Sequence, residues 1–465
     1  MIILFIIFFT LITFYRPRLG LFFLFLLLPT YLIRFSIGPI PTNLLEIMVI
    51  ITILVFSIKY LVLRTKSLIF DPFGQAQDKL RSLIFSHRSL FLASAIFLTA
   101  ATISVFTSAD IRSALGEWKA FYIEPFLLFL VIILSINNEQ LTLRHELRPN
   151  ANNKKVIFNL QSSILISLTL LALVTSLLAI YQHFTGWMVP WAFWENRNTF
   201  RVTGWYGFPN GVGLFLAPLV PLALYLIYQN FNALKQKLTI TNWLVAICSL
   251  LFVICSLFAI FFAKSTGAIV GLATGLGLLL IFNKKTRWPI IIAGVFSLIC
   301  LICFPQFKNI KQEIFMQDRS GQIRIAIWKE TLNFLSDHPI ACAGLASYQD
   351  KITPYHTTVN GEGIEIFHHP HNIFLTMWVN LGILGLIGFV WILVSIFQIQ
   401  YSIFKKNDKL PTLNYFLISS LVIIIVTGLV DSPYIKNDLA ILFWSLLGMI
   451  LIDSSISNEK KTKIT

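Results

Sequence analysis

Three histidines gather in the run Phe367-His368-His369-Pro370-His371-Asn372, directly before an apolar stretch that opens at Ile373. Imidazole exchanges a proton near neutral pH without an extreme shift, so this placement suits general acid or base work. A metal centre is the alternative chemistry, but no nearby cysteine or paired carboxylate in chain order completes a ligand set. A plain structural role at a membrane boundary is the third reading.

Cations suited to an anionic partner occur at three further places. Ile323, Ile327 and Phe334 fall on one side of a helix from about Arg319 to Asp337, which His338-Pro339 ends because the residue before proline avoids the helical region. Arg324 and Trp328, four apart, share a face of it. They read as an anion clamp or as a snorkelling arginine beside an interfacial tryptophan. Glu195-Asn196-Arg197-Asn198 and Arg201-Val202-Thr203-Gly204 precede Pro209-Asn210-Gly211. Asn210 or Gly211 capping an outward-facing helix start, with Arg201 close by, would suit a phosphate. An ordinary cap beside a snorkelling arginine fits the same residues. Lys264-Ser265-Thr266-Gly267 is a third, weaker candidate: a tight turn with one cation between two apolar runs. Glu117, Lys119 and Glu124 interrupt another apolar run, either as functional intramembrane charges or as structural groups near its outer end.

The elements that must carry these groups are hydrophobic helices. Of 465 residues, 56% are hydrophobic and 12% charged, too little polar surface to clothe a soluble particle of this size. Runs such as Ile164 to Ile180, Leu244 to Ala263, Ile373 to Phe397 and Leu413 to Val430 are long enough to cross a hydrocarbon core, which takes about 17 to 25 residues. Counting all such runs gives about twelve or thirteen spans in an all-α polytopic membrane bundle. Residues 2–15 are short for a crossing and read as a retained helix, since Arg16 and Arg18 lead straight into another apolar run without a small-residue cleavage site.

Lysine and arginine collect in alternate connections, around Arg81 and Arg88, Lys154 and Lys155, Lys235 and Lys237, Lys284 and Lys285, Lys405 and Lys406, and Lys460 and Lys461. Short cytoplasmic loops hold such an excess, so this set is placed in the cytoplasm. The net charge of +15 then follows from topology and anionic lipid headgroups, without nucleic acid. The other set faces outward: residues 182–208, the turn at Lys264, residues 306–371 and the turn at Asp431. The resulting division is N-terminal transmembrane helices (1–305), one large helical extracytoplasmic loop (306–371), C-terminal transmembrane helices (372–453) and a cytoplasmic tail (454–465). Cys300 and Cys303, spaced like a redox motif, sit in an apolar run and read as packing.

Together these residues resemble the O-antigen ligase and O-antigen polymerase family of bacterial membrane glycosyltransferases. His371-Asn372, followed nine residues later by Gly382-Ile383-Leu384-Gly385, looks like the family's His-Asn signature with its downstream glycine pair. Arg324 to Trp328 and Pro339 to Gly344 resemble the preceding block, and Arg201 to Gly204 with Pro209-Asn210 an earlier outer loop. The likeness runs from about Asp110 to Trp444. Two departures stand out. Ser265-Thr266-Gly267 replaces the family's frequent Ser-Arg-Gly turn, so Lys264 must supply the charge as a point rather than a planar fork. Cys342 stands where the family usually has glycine.

The resemblance implies transfer of a glycan from a polyprenyl pyrophosphate carrier to a sugar acceptor, a glycan or glycolipid, at the outer face of the bacterial cytoplasmic membrane, with no metal or soluble cofactor. It implies His371 as the base, with Arg201, Arg324, Lys264, His369 and Asn372 binding or orienting substrate. A solute transporter is the alternative from another class, although no internal repeat is evident and the polar groups gather outside the midplane. A scaffold protein of the cell envelope is a third.

Overall fold

The computed structural model describes residues 1–38, 40–66, 81–146, 160–189, 196, 200–234, 239–340, 342–407 and 409–462. Lys154, Lys155, Lys235, Lys237, Glu195, Arg197 and Asn198 lie outside the described residues.

The chain is an all-α polytopic membrane bundle. Helices α1 (Ile2–Tyr15) and α2 (Pro17–Leu26) lead through a 3-10 turn and a hairpin of β1 (Arg34–Ile37) and β2 (Ile40–Asn43) into α3 (Leu44–Lys66). Then come α4 (Arg88–Phe106), α5 (Ile111–Glu117), which passes through a π-helical stretch (Trp118–Ile123) into α6 (Glu124–Glu146), and α7 (Leu160–Thr185). Next are α8 (Pro209–Leu216), α9 (Val220–Leu234), α10 (Ile240–Phe262), α11 (Thr266–Phe282) and α12 (Arg287–Cys303). An outer segment holds α13 (Lys308–Ile314), α14 (Arg319–Asp337), α15 (Tyr348–Ile352) and the small hairpin β3 (Thr358–Val359) and β4 (Glu362–Gly363). Finally α16 (Ile373–Asn407), α17 (Thr412–Thr427) and α18 (Asn437–Thr462) close the bundle.

Among the described residues, six helices are long and apolar enough to cross a membrane, or seven if the bent pair at α12 is one span. The sequence count of about twelve or thirteen is reached only by including shorter apolar helices such as Ile2–Tyr15, Pro17–Leu26, Thr266–Phe282 and Thr412–Thr427. α12 has no fully buried residue; Cys303 is exposed and Cys300 half-buried, and both are free thiols.

Close packing depends on small residues, because lipid offers helices no hydrophobic reason to associate. A Cβ on Gly271 of α11 would stand 2.6 Å from Thr427 Cγ2 of α17. α16 breaks at Gly382, whose φ of 73° suits glycine and where a Cβ would meet the Ile340 carbonyl at 2.7 Å. Fully buried aromatics fill the centre, with Phe97, Phe389, Phe443 and Trp444 around Tyr434. Tyr434 hydroxyl donates to the Phe121 carbonyl (2.7 Å) and accepts from Trp444 Nε1 (3.0 Å), which fixes the start of α18 and the turn before it.

From α12 the chain turns 89° into residues 305–337, so α14 lies across the bundle axis. α14 has the ends its periodicity indicated, with the Asp318 carboxylate accepting from Ser320 and Gly321 amides at its start. The outer segment has its own core of Phe334, Leu335, Ala343, Tyr348 and Ile352, with Val379 of α16. Buried Glu330 accepts from Thr357 N (2.8 Å) and Oγ1 (2.6 Å), tying α14 to the small hairpin. Of the intramembrane charges, Glu117 accepts from Ala346 N (2.9 Å) and Lys119 pairs with Glu46, so both tie elements together.

Candidate active site

The turn after α17 presents Asp431, which is almost fully buried. Its Oδ1 lies 3.3 Å from His371 Nδ1 and accepts from Ser432 N (2.8 Å), while Oδ2 accepts from Asn210 Nδ2 (2.8 Å). His371 enters on a short link before α16 with a φ of 48°, a left-handed conformation that costs a non-glycine residue on the order of 1–3 kcal/mol. The surroundings hold it there. Asn372 caps α16, its Oδ1 accepting from Phe374 N and Leu375 N, and its Nδ2 donates to Leu429 O (3.0 Å). Ile373 N donates to Gly428 O (2.7 Å), and Thr376 and Ser432 hydroxyls meet at 2.8 Å. The link bearing the histidine and the turn bearing the aspartate are therefore stitched together on both sides of the pair.

α14 spans the same two pieces. Arg324 Nε donates to Val430 O (2.9 Å), and Trp328 Nε1 donates to Pro370 O (2.9 Å). Each bonded carbonyl belongs to the residue directly before the acid or the imidazole. The sequence left a clamp and a pair of interfacial side chains open, and in the fold both residues position the site.

Arg201 arrives from the loop before α8. Its Nε donates to Ala263 O (2.7 Å) and its Nη2 to Asn210 Oδ1 (2.8 Å) and Lys264 O (3.0 Å). Lys264 takes up a φ of 50° in the tight turn between α10 and α11, so its carbonyl meets the guanidinium while its exposed side chain lines the cavity. Asn210 thus bridges Arg201 to Asp431. This corrects the expectation that Asn210 or Gly211 caps a helix: α8 starts with Pro209 at its first position and Phe208 before it, and no side chain caps it. Proline has no amide hydrogen to satisfy, and the Asn210 amide is used elsewhere.

Arg201, Lys264, Arg324 and Asp431 line one cavity of about 340 Å³, together with Glu313, Asp318 and apolar Leu214, Val270 and Val426. Three cations face three carboxylates, but the carboxylates hold neutral donors of the protein. Asp318 caps α14, Glu313 accepts from Thr266 Oγ1 (2.6 Å), and Asp431 accepts from Asn210 and Ser432. Burial, and then the nearby Arg324 charge, push the Arg201 guanidinium down to about 10 against the pull of Asp431 and Glu313, so it remains a cation at neutral pH. Two guanidiniums lining one cavity have the charge and the planar donor forks that a doubly charged oxyanion calls for.

Burial alone would raise Asp431, but the hydrogen bond and charge of His371, the charge of His369 and the Ser432 amide outweigh it and hold the carboxyl well below its usual range. His369 moves the other way for an imidazole. Burial, with His371 beside it, lowers it to about 3, so it is neutral at physiological pH, and its buried Nδ1 has no partner among the described residues. The His369 and His371 rings lie edge to face, 4.9 Å between centroids.

Asp431 is the residue that sequence reasoning missed. It was visible as a lone carboxylate between two apolar runs, but was used only to place an outer turn. It also corrects the argument against a metal. The sequence offered no paired carboxylate beside the histidines, yet the fold brings Asp431 to them, and ligand atoms of His369, His371 and Asp431 lie within 4.8 Å of one another.

Residues 251–390 match the family model described as O-antigen ligase. The family resemblance read from sequence is borne out over that stretch, which contains Lys264, Arg324, His369, His371 and Asn372 and leaves Arg201 and Asp431 outside it. No curated protein matches the chain.

Proposed function

We propose that this chain transfers a glycan from a polyprenyl pyrophosphate carrier to a hydroxyl of a sugar acceptor, at the outer face of a bacterial cytoplasmic membrane. The observation that carries the reading is the Asp431-bound His371 beside the cavity that Arg201 and Arg324 share. With its Nδ1 hydrogen directed at Asp431, His371 keeps the Nε2 lone pair for the acceptor hydroxyl. Nε2 takes the hydroxyl proton as the oxygen bonds to the anomeric carbon of the donor. The bond from that carbon to the phosphate oxygen breaks, and its electron pair leaves on the pyrophosphate. Arg201 and Arg324, with Lys264 at the rim, stabilise the charge that develops there. Apolar Leu214, Val270 and Val426 give the polyprenyl chain a wall to follow.

The test is turnover by purified, reconstituted protein given a polyprenyl pyrophosphate-linked oligosaccharide and a glycolipid acceptor. His371→Ala should abolish product while donor binding persists. Unchanged product from that variant would overturn the role of the base.

A divalent cation on His369, His371 and Asp431 is the second reading that geometry favours. Against it, the Asp431 oxygens already hold Asn210, Ser432 and His371, and Arg201 stands nearby. Elemental analysis of active protein, and its activity after chelation, separate the two.

A further inference from the structure

A second recess lies at the other end of the bundle and takes no part in the chemistry proposed above. α4 starts at Arg88, and its far end meets the outer segment, where Leu345 N donates to Ser104 O (3.3 Å). α16 starts beside His371 and runs past Lys406. A 19-residue helix, about 28 Å long, therefore separates the recess from the histidines. Its volume is about 440 Å³, and Arg88, Lys406, Ser89, Ser395, Ser402 and Gln398 are among its lining. No aspartate or glutamate lines it among the described residues.

Neither Arg88 nor Lys406 has a salt bridge or side-chain hydrogen bond among the described residues, so neither charge has a counter-ion there. The hydroxyl pair deeper in adds a directional donor. Ser89 Oγ accepts from Trp391 Nε1 (2.9 Å) and lies 2.9 Å from Ser395 Oγ. If Ser89 gives its hydrogen to Ser395, the nearly buried Ser395 keeps one hydrogen to donate. Leu90, Ile399 and Ile403 supply an apolar flank. Cations snorkelling singly to a membrane boundary would explain one such residue. Two cations lining one recess with hydroxyls, an apolar wall and no acid among the described residues fit a phosphate ester whose remainder is hydrophobic.

We infer that this recess binds the phosphate group of an anionic phospholipid, between the Arg88 end of α4 and the Lys406 end of α16. Occupancy would brace the two helices that run to the candidate active site.

The full-length protein, reconstituted in nanodiscs of phosphatidylcholine with or without phosphatidylglycerol, is released and its retained lipid counted by native mass spectrometry. Wild type should keep phosphatidylglycerol over phosphatidylcholine by about tenfold. Arg88→Gln/Lys406→Gln should lose that preference. Lys406 is exposed, so Lys406→Gln alone serves if the double variant fails to insert, with the loss smaller but in the same direction. Thermal stabilisation of wild type, but not of the variant, by glycerol 3-phosphate without lipid preference would assign the phosphate site to a soluble ester. Equal lipid retention by wild type and variant, with no response to glycerol 3-phosphate, would overturn the site.

Discussion

His371 Nδ1 and Asp431 Oδ1 lie 3.3 Å apart, although sixty positions of chain separate them. The carboxylate selects which imidazole nitrogen carries the hydrogen and would balance the imidazolium formed on proton uptake. Asn210 and Ser432 take up its other hydrogen-bonding capacity, so Asp431 is fixed in orientation as well as in charge.

Asp431→Asn keeps the shape and removes the charge. The expected outcome is a fall in kcat on the order of 10³-fold with little change in KM for the donor, because the imidazole loses its orientation. Steady-state kinetics on the reconstituted protein check this, and equal kcat in the two proteins would remove Asp431 from the mechanism.

Arg324→Lys keeps a cation but gives up the planar fork that bonds Val430 O and Ser320 Oγ. We expect kcat/KM for the lipid-linked donor to drop about 10 to 100-fold, with insertion and thermal stability little altered. A variant matching wild type with every donor would argue against a guanidinium on the pyrophosphate.

Trp328→Phe retains the ring and deletes the bond to Pro370 O, which contributes about 1 kcal/mol. The link carrying His371 loosens, so kcat should fall while donor KM holds. Loss of both in equal measure would point to a collapsed outer segment instead, which near-UV circular dichroism would reveal.

Stability should depend on pH through His369. Its value falls from about 6.5 unfolded to about 3 in the fold, so between these limits the unfolded chain binds the extra proton and stability rises with pH. Acidification from pH 7 toward pH 4 should therefore lower the unfolding free energy by up to about 1.4 kcal/mol per pH unit for one proton, and the melting temperature with it. Asp431, whose value is depressed, loses its own contribution only at still lower pH, as it protonates. His369→Gln should flatten the slope between pH 6.5 and pH 4; an identical slope in the variant would assign the effect to other groups.

Much of this was legible in the residues, for reasons that can be named. Apolar run length reports membrane helices directly, and α14 declared itself through the spacing of Ile323, Ile327 and Phe334 and the proline after His338. The cations Arg201, Lys264 and Arg324 stood out because a charge amid apolar neighbours needs a reason. Asp431 had the same visibility, but its meaning depended on a contact between distant turns, which local periodicity does not encode. Asn210 was misassigned because a polar residue at a helix start usually caps it, whereas Pro209 had already supplied the start. Composition marks an apolar segment more reliably than it measures helix length, so the shorter apolar helices enter the count of spans by their composition.

The scattering of Arg201, Lys264, Arg324, His371 and Asp431 along the polypeptide has a consequence for biogenesis. A nascent chain carries both arginines and the imidazole before it carries the carboxylate, so on the proposed mechanism a product that ends short of Asp431 would lack the group that orients His371. All five side chains are present only once the turn between the last two helices has been made.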